Sequence, residues 1–227
     1  MAASRSPTLR LRARGPLACF TRPELKVERV SYPVMTPSAA RGLLEAVVWK
    51  PAISWRIERI QVLAPIRFVA FRRNEVSTRA SSPPAAIVRD GGEVHSYFAD
   101  EDRAQRNTLA LRDVDYIIEA HIRLTERAGP ADNLTKFVDI FERRVEKGQC
   151  FHQPYLGCRE FAAEVHPATN LPVPVDDSRD LGRILWDIEY RAGRNRPLFF
   201  AARLDRGVLE VPLEPPAAVK EEEGGAV

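Results

Sequence analysis

Apolar and polar side chains alternate strictly from Thr8 to Arg14, which puts Leu9, Leu11 and Ala13 on one face of a strand and Arg10, Arg12 and Arg14 on the other. After a proline-punctuated stretch from Pro16 to Pro33 the period changes. Thr36 and Pro37 supply an N-cap and a first-turn proline, and Ala40, Leu43, Leu44, Val47 and Val48 follow at the spacing of a helix packed on a sheet, ended by Pro51. A second strand is predicted at about 53–64, where the apolar phase slips between Ile57 and Ile60 and so calls for a bulge. The cleanest alternation runs from 114 to 124, with Val114, Tyr116, Ile118, Ala120, Ile122 and Leu124 inward and Asp115, Glu119, His121 and Arg123 outward. Asn133 opens a second helix whose inner face is Leu134, Phe137, Phe141 and Val145, and Gly148 closes it. A fourth strand is expected around Arg159 to Val165. Short strands follow at Ile184 to Tyr190, Leu198 to Leu204 and Val208 to Val211, the last two joined by Asp205-Arg206-Gly207.

Strand, helix, strand, insertion, strand, helix, strand is the order of a split βαβ unit, so the expected class is α+β, ferredoxin-like, with helices on one sheet face and the other face open. Residues 1–170 form that unit. Its insertion, about 65–108, carries Arg67, Arg72, Arg73, Arg79, Arg89, Arg103 and Arg106 between turn signals and reads as an extended, partly mobile segment. Residues 171–213 read as a small β appendage, and 214–227 as a disordered acidic tail.

Charge sharpens this picture. Without the last fourteen residues the net charge rises from +3 to +6, and residues 1 to 30 hold seven basic side chains against two acidic ones. A sheet face with an arginine ladder suits a single strand of nucleic acid laid across a β platform; the alternative is a solvated strand whose arginines pair with Asp115 and Glu119. No apolar run approaches the roughly 20 residues needed to span a bilayer, and the polar amino end, broken at Pro7, lacks a signal core. Cys19, Cys150 and Cys158 make an odd count without Cys-x-x-Cys spacing, which suits a reducing, cytoplasmic setting. With His152 they offer too few well-spaced ligands for a closed zinc site, so neither metal nor cofactor is expected.

Several collinear runs go further. Cys19-Phe20-Thr21-Arg22-Pro23-Glu24, Val27 to Tyr32, Thr36 to Ala46 leading to Trp49-Lys50-Pro51, Arg72 to Val76, Gln105 to Leu109, and Gly148 to Phe161 together resemble the Cas-five family of CRISPR-associated proteins, type I-C (Dvulg) subtype, over about residues 8 to 212. The resemblance implies a RAMP-superfamily subunit of a type I surveillance (Cascade) complex in antiviral defence, with a β-hairpin thumb and a small carboxy-terminal β domain. Its implied partners are crRNA with its 5′ handle, the repeat RNA, Cas-seven backbone and Cas-eight large subunits, and target DNA through the complex. It also implies metal-independent endoribonuclease activity on repeat RNA.

Such cleavage needs a base for the 2′-hydroxyl, a cation for the phosphorane and an acid for the 5′-oxygen. The family motif places a tyrosine just before the Trp-Lys-Pro run and a Lys-His pair in the second helix. Here those positions are Val48, Lys136 and Phe137, so only Lys136 matches. RNA binding and assembly are therefore the first expectation, with cleavage as the alternative and His152 or His121 as substitute proton carriers. The expected RNA contacts are Arg10, Arg12, Arg14, Arg22, Lys26, Arg29, Lys50, Arg67, Arg72, Arg73 and Arg106.

Overall fold

The computed structural model describes residues 5–25, 27–78, 82–92, 98–169, 172–191 and 194–215. Nine strands and three helices follow in the order β1 (Leu9–Ala18), β2 (Arg29–Val30), α1 (Pro37–Val47), β3 (Ile53–Val62), β4 (Phe68–Val76), α2 (Ala85–Asp90), β5 (Arg103–Leu124), α3 (Leu134–Glu146), β6 (Glu164–Pro167), β7 (Arg179–Arg191), β8 (Arg194–Asp205) and β9 (Val208–Glu210). All the strands belong to one sheet, of path β6-β1-β5-β3-β9-β8-β7, with β2 and β4 added on β5.

Local chemistry accounts for the elements. The Thr36 side chain accepts from the Ala39 N–H at 3.3 Å, and Asn133 accepts from Lys136 N–H at 2.9 Å, so each long helix starts on a side-chain cap. In β3 the expected slip is a bulge. Ile57 pairs with Ala120 and Arg59 with Glu119, leaving Glu58 as the extra residue. That single insertion returns Ile60 to the apolar face occupied by Ile57, so both stay buried beneath the helices. On that face Trp55 packs on Phe141, with ring centroids 5.1 Å apart, and donates its indole N–H to the Val48 carbonyl at 3.0 Å.

β5 is the long element. Its second half pairs with β1 on one side and β3 on the other, while its first half, ahead of Asp113 at φ 53°, carries β4 as a two-stranded ribbon. The insertion thus has a regular ladder from Phe68↔Leu111 to Val76↔Arg103, with α2 in the described part of the connection. Residues 79–81 and 93–97, and Arg79 with them, lie outside the described residues.

Three expectations need correction. Leu124, assigned inward, is 40% exposed, because it ends β5 beyond the helix layer. The fourth strand is β6, Glu164–Pro167, rather than 159–165. Residues 155–162 instead close a turn, with Leu156 N–H donating to Phe161 O and Phe161 N–H to Cys158 O, and this turn docks on β1 through the Cys19 N–H to Leu156 O bond at 3.0 Å. The carboxy-terminal strands also continue the main sheet: β9 pairs with β3, and Arg41 of α1 holds Asp187 of β7 through two hydrogen bonds of 3.0 and 2.8 Å. The turn at Asp205-Arg206-Gly207 has positive φ at Arg206 and Gly207, as a tight hairpin requires. Of the acidic tail, residues from 216 onward lie outside the described residues.

Gly157 is the tightest point of the docked turn. Its φ is +85°, and a β-carbon there would lie 2.1 Å from the Cys19 carbonyl oxygen. Gly157→Ala should therefore cost about 2 kcal/mol or more through left-handed strain and backbone displacement. Thermal unfolding is the check, with a fall in Tm of roughly 4–8 °C expected for a chain of this size.

Candidate nucleic-acid interface

The arginine ladder sits where the alternation placed it, but it is already paired. Arg10 Nε lies 3.0 Å from Glu119, Arg12 makes a bidentate contact with Asp115 at 3.0 and 2.6 Å, and Arg14 lies 2.7 Å from Glu164. Glu119 also accepts from Gln61 at 2.9 Å and from Arg59 at 3.3 Å, and it is buried under these groups. Of the two readings open at the sequence level, this arrangement favours the carboxylate-paired strand. The face opposite the helices is closed by cross-strand ion pairs over Ile117, Glu119 and His121.

Other expected contacts are likewise engaged. Arg29 reaches Glu75 at 3.2 Å and Glu160 at 2.8 Å, and Arg73 pairs with the same two carboxylates, tying β2, β4 and the docked turn into one cluster. Arg29 also donates to Cys158 Sγ at 3.5 Å. Arg22 lies over the Tyr32 ring, 4.6 Å from its centroid, and 3.5 Å from Glu24. Arg72 reaches only Gln105, at 3.4 Å. Of the expected contacts among the described residues, Lys50, Arg67 and Arg106 make no side-chain hydrogen bond or ion pair and are free to meet a phosphate, as are Arg127, Arg143, Lys147 and Arg159, which the sequence reading did not single out. Lys26 lies outside the described residues.

His121 is not a surface histidine. It lies on the polar face of β5 but is 0% exposed, because the bulge at Glu58 aims a carboxylate at it and residues ahead of β1 pair with Ile122 beside it. Glu58 lies 2.7 Å from Nδ1, and Arg123 Nε–H donates to Nε2 at 3.2 Å. A neutral ring protonated on Nδ1 satisfies both partners. Burial pushes its pKa down, with the Glu58 hydrogen bond opposing. Burial alone would raise Glu58, yet hydrogen bonds from Thr8 and His121 outweigh it and hold the carboxyl below its usual range. His121 can play no part in RNA chemistry at the surface.

The family-motif positions divide in the same way. Val48 is 0% and Phe137 2% exposed, both inside the core that α1 and α3 close over the sheet. Lys136 stands on the outside of the first turn of α3, 2.9 Å from Asp132, whose carboxyl that lysine and the Gly129 N–H hold below the usual range, with Lys50 contributing. His152 lies past the other end of α3. Thirteen helical residues span about 20 Å, so the structure sets Lys136 and His152 at opposite ends of one helix.

The loop after α3 is anchored rather than free. Phe151 N–H and His152 N–H both donate to the Ala46 carbonyl, at 2.7 and 3.2 Å, and Arg144 donates to Val47 O at 2.6 Å, so the last turn of α1 is capped from α3 and its loop. This anchoring lines up rings that sequence reasoning missed. Trp49 and Phe151 stack with centroids 5.9 Å apart and planes at 30°, His152 meets the edge of Phe151 at 5.8 Å, and Tyr155 stacks on His152 at 6.4 Å. Trp49 is 49% and Phe151 57% exposed. The available signal was two large aromatics placed just outside helix ends, among Lys, Pro, Gly and Gln. Cys158 packs on the Cys19 carbonyl at 3.5 Å, apart from Cys150 and His152, and among the described residues no group of three His, Cys, Asp or Glu is placed to hold a metal ion.

The chain is similar to known proteins. A family model described as CRISPR-associated protein (Cas_Cas5) matches residues 8–212. The chain is 47% identical over 213 residues to a protein of Mannheimia succiniciproducens, covering 90% of this chain and 94% of that one, and 42% identical over 224 residues to one of Thermus thermophilus, covering 91% and 92%; both are named "CRISPR pre-crRNA endoribonuclease Cas5d". Among solved structures, a CRISPR-associated protein superposes with a TM-score of 0.66 at 22% identity, and a functionally uncharacterized protein from Streptococcus mutans with 0.65 at 21%. In each case 92% of this chain and 93% of the other are covered. These two likenesses establish the fold alone.

The pairing of buried His121 with half-buried Glu58 makes stability pH-dependent. Because His121 binds its proton less readily in the folded chain than in the unfolded one, the stability it contributes is complete above about pH 6.5 and is lost as pH falls below that; Glu58 adds a second loss below about pH 4.5. Urea unfolding at pH 7.5 and 5.5 should show lower stability at pH 5.5, and His121→Gln should flatten the difference. An equal slope in that variant would remove His121 as the source.

Proposed function

Since the chain belongs to the CRISPR-associated Cas5 family, in its type I-C subtype, we propose that it binds the repeat-derived 5′ handle of guide RNA, and processes the repeat precursor, as a subunit of an antiviral surveillance complex. The observation that carries this reading is the length of the match: relatives named as pre-crRNA endoribonucleases align with nine tenths of the chain at 47% and 42% identity. The strand order β6-β1-β5-β3, with α1 and α3 on one face, supports a ferredoxin-like core of the RAMP type, and the β4–β5 ribbon supports the thumb. On this reading the layout is a 1–170 unit with the ribbon at about 65–108, then residues 171–213, whose strands extend the same sheet, and the acidic tail. Cas-seven and Cas-eight subunits are the expected neighbours, and the complex acts in the cytoplasm. Among the described residues no helix is long and apolar enough to cross a membrane.

Binding rests on groups that are free at the surface. Lys50, Arg67 and Arg106 supply phosphate contacts, with Arg72 and Lys136 beside them, while Arg10, Arg12 and Arg14 meet phosphate only by leaving a carboxylate. Cleavage has to be carried by groups outside the core. In such a step the 2′-oxygen forms a bond to phosphorus as its proton is taken, and the bond from phosphorus to the 5′-oxygen breaks as that oxygen takes up a proton, leaving a 2′,3′-cyclic phosphate and a 5′-hydroxyl. Of the exposed imidazoles among the described residues, His166 lies 3.6 Å from Glu164 while His152 has no carboxylate partner, so His152 is the group able to take that proton; Lys147, five positions before it, is the cation nearest to it along the chain.

The test is to incubate purified protein with its own repeat RNA in the presence of a metal chelator. One cut per repeat, leaving a 2′,3′-cyclic phosphate, is expected, with His152→Ala slowing it about 100-fold or more while RNA affinity changes little. RNA held tightly but never cut would leave the binding and assembly role and remove the enzymatic one.

A further inference from the structure

We infer that the stacked pair Trp49 and Phe151 is a stacking site for an unpaired RNA base, an inference that rests on the RNA-binding reading. Half-exposed rings of this size are normally packed away, yet here the backbone holds them out. The Ala46 carbonyl, capping the end of α1, takes both the Phe151 and His152 N–H groups and so fixes where Phe151 stands against Trp49. The site is thus built from two helix ends rather than from a loose loop.

Its chemistry selects the ligand. A base sandwiched between the rings would need about 6.8 Å, twice the ~3.4 Å stacking rise of a strand, and the centroids stand 5.9 Å apart. The pair is already closed, so a base adds to its outer face and extends the row that continues through His152 and Tyr155. Lys50, adjacent to Trp49 and without an ion-pair partner among the described residues, supplies the positive charge that a base's own phosphate would meet. An apolar partner surface would gain nothing from that charge. Stacking is tolerant of base identity, so the site positions a nucleotide rather than reading it.

Tryptophan emission makes the inference measurable. Of the three tryptophans, Trp55 and Trp186 are buried, so quenching on titration with repeat RNA reports on Trp49. Native protein should show quenching that saturates with binding, and Trp49→Ala should abolish it and weaken affinity roughly 5- to 150-fold. Trp49→Phe, which keeps a ring, should recover most of the affinity and guards against a folding defect. Salt separates stacking from charge: Trp49→Ala should lower affinity by the same factor at every salt concentration, whereas Lys50→Ala should reduce the salt slope by about one. Native protein that binds RNA without quenching, and with unchanged affinity in Trp49→Ala, overturns the stacking site and leaves the RNA-binding reading standing. Native protein that does not bind repeat RNA overturns both.

Discussion

β5 is the strand on which the rest of the molecule hangs. Its 22 residues hydrogen-bond to β1, β2, β3 and β4, and β6 and the carboxy-terminal strands attach at one remove through β1 and β3. One strand can serve so many partners because its two halves do different work. From Val114 to Ile122 the strand is covered on both faces, on one by apolar packing under the helices and on the other by ion pairs. Ahead of Asp113 the strand is half exposed and carries the ribbon, the short β2 and only the last residues of β1, Leu17 and Ala18. The left-handed residue at 113 marks the change. A helix-covered sheet and a projecting ribbon are therefore parts of one continuous ladder, and the basic residues of the ribbon are placed by the same strand that organises the core.

How much of this was legible in the sequence depends on what each residue answers to. Alternation at Leu9, Leu11 and Ala13 and periodicity at Leu43, Leu44 and Val47 reflect one burial requirement each, and the strand, the helix and the bulge at Glu58 followed from them. The sheet's second face was misjudged because alternation separates apolar from polar but does not separate polar exposed from polar buried. His121 and Glu119 read as outward and are both buried, satisfied by Glu58 and Arg123 and by Arg10, Arg59 and Gln61. Apart from Arg123, two positions from His121, these partners lie 58 to 109 positions away in sequence, which no local pattern encodes.

The candidate site was legible in part for the same reason. Lys136, Lys50 and His152 are where their segments put them, on surfaces, but their mutual distance depends on the length of α3 and on the docking of the loop at 149–155 against α1. The aromatic pair was invisible because its members lie about a hundred residues apart and each alone reads as an ordinary apolar side chain. The core positions Val48 and Phe137 were read correctly as members of apolar stripes.

The ion pairs of the polar sheet face have one more implication. Arg10, Arg12 and Arg14 carry their own built-in counterions in Glu119, Asp115 and Glu164. A polyanion landing there would displace carboxylates bound to the protein rather than mobile ions from solution, so the entropic gain that normally drives such association is missing. The face is thereby insulated against indiscriminate nucleic acid despite its arginine content, and binding falls to cations elsewhere that carry no carboxylate of their own.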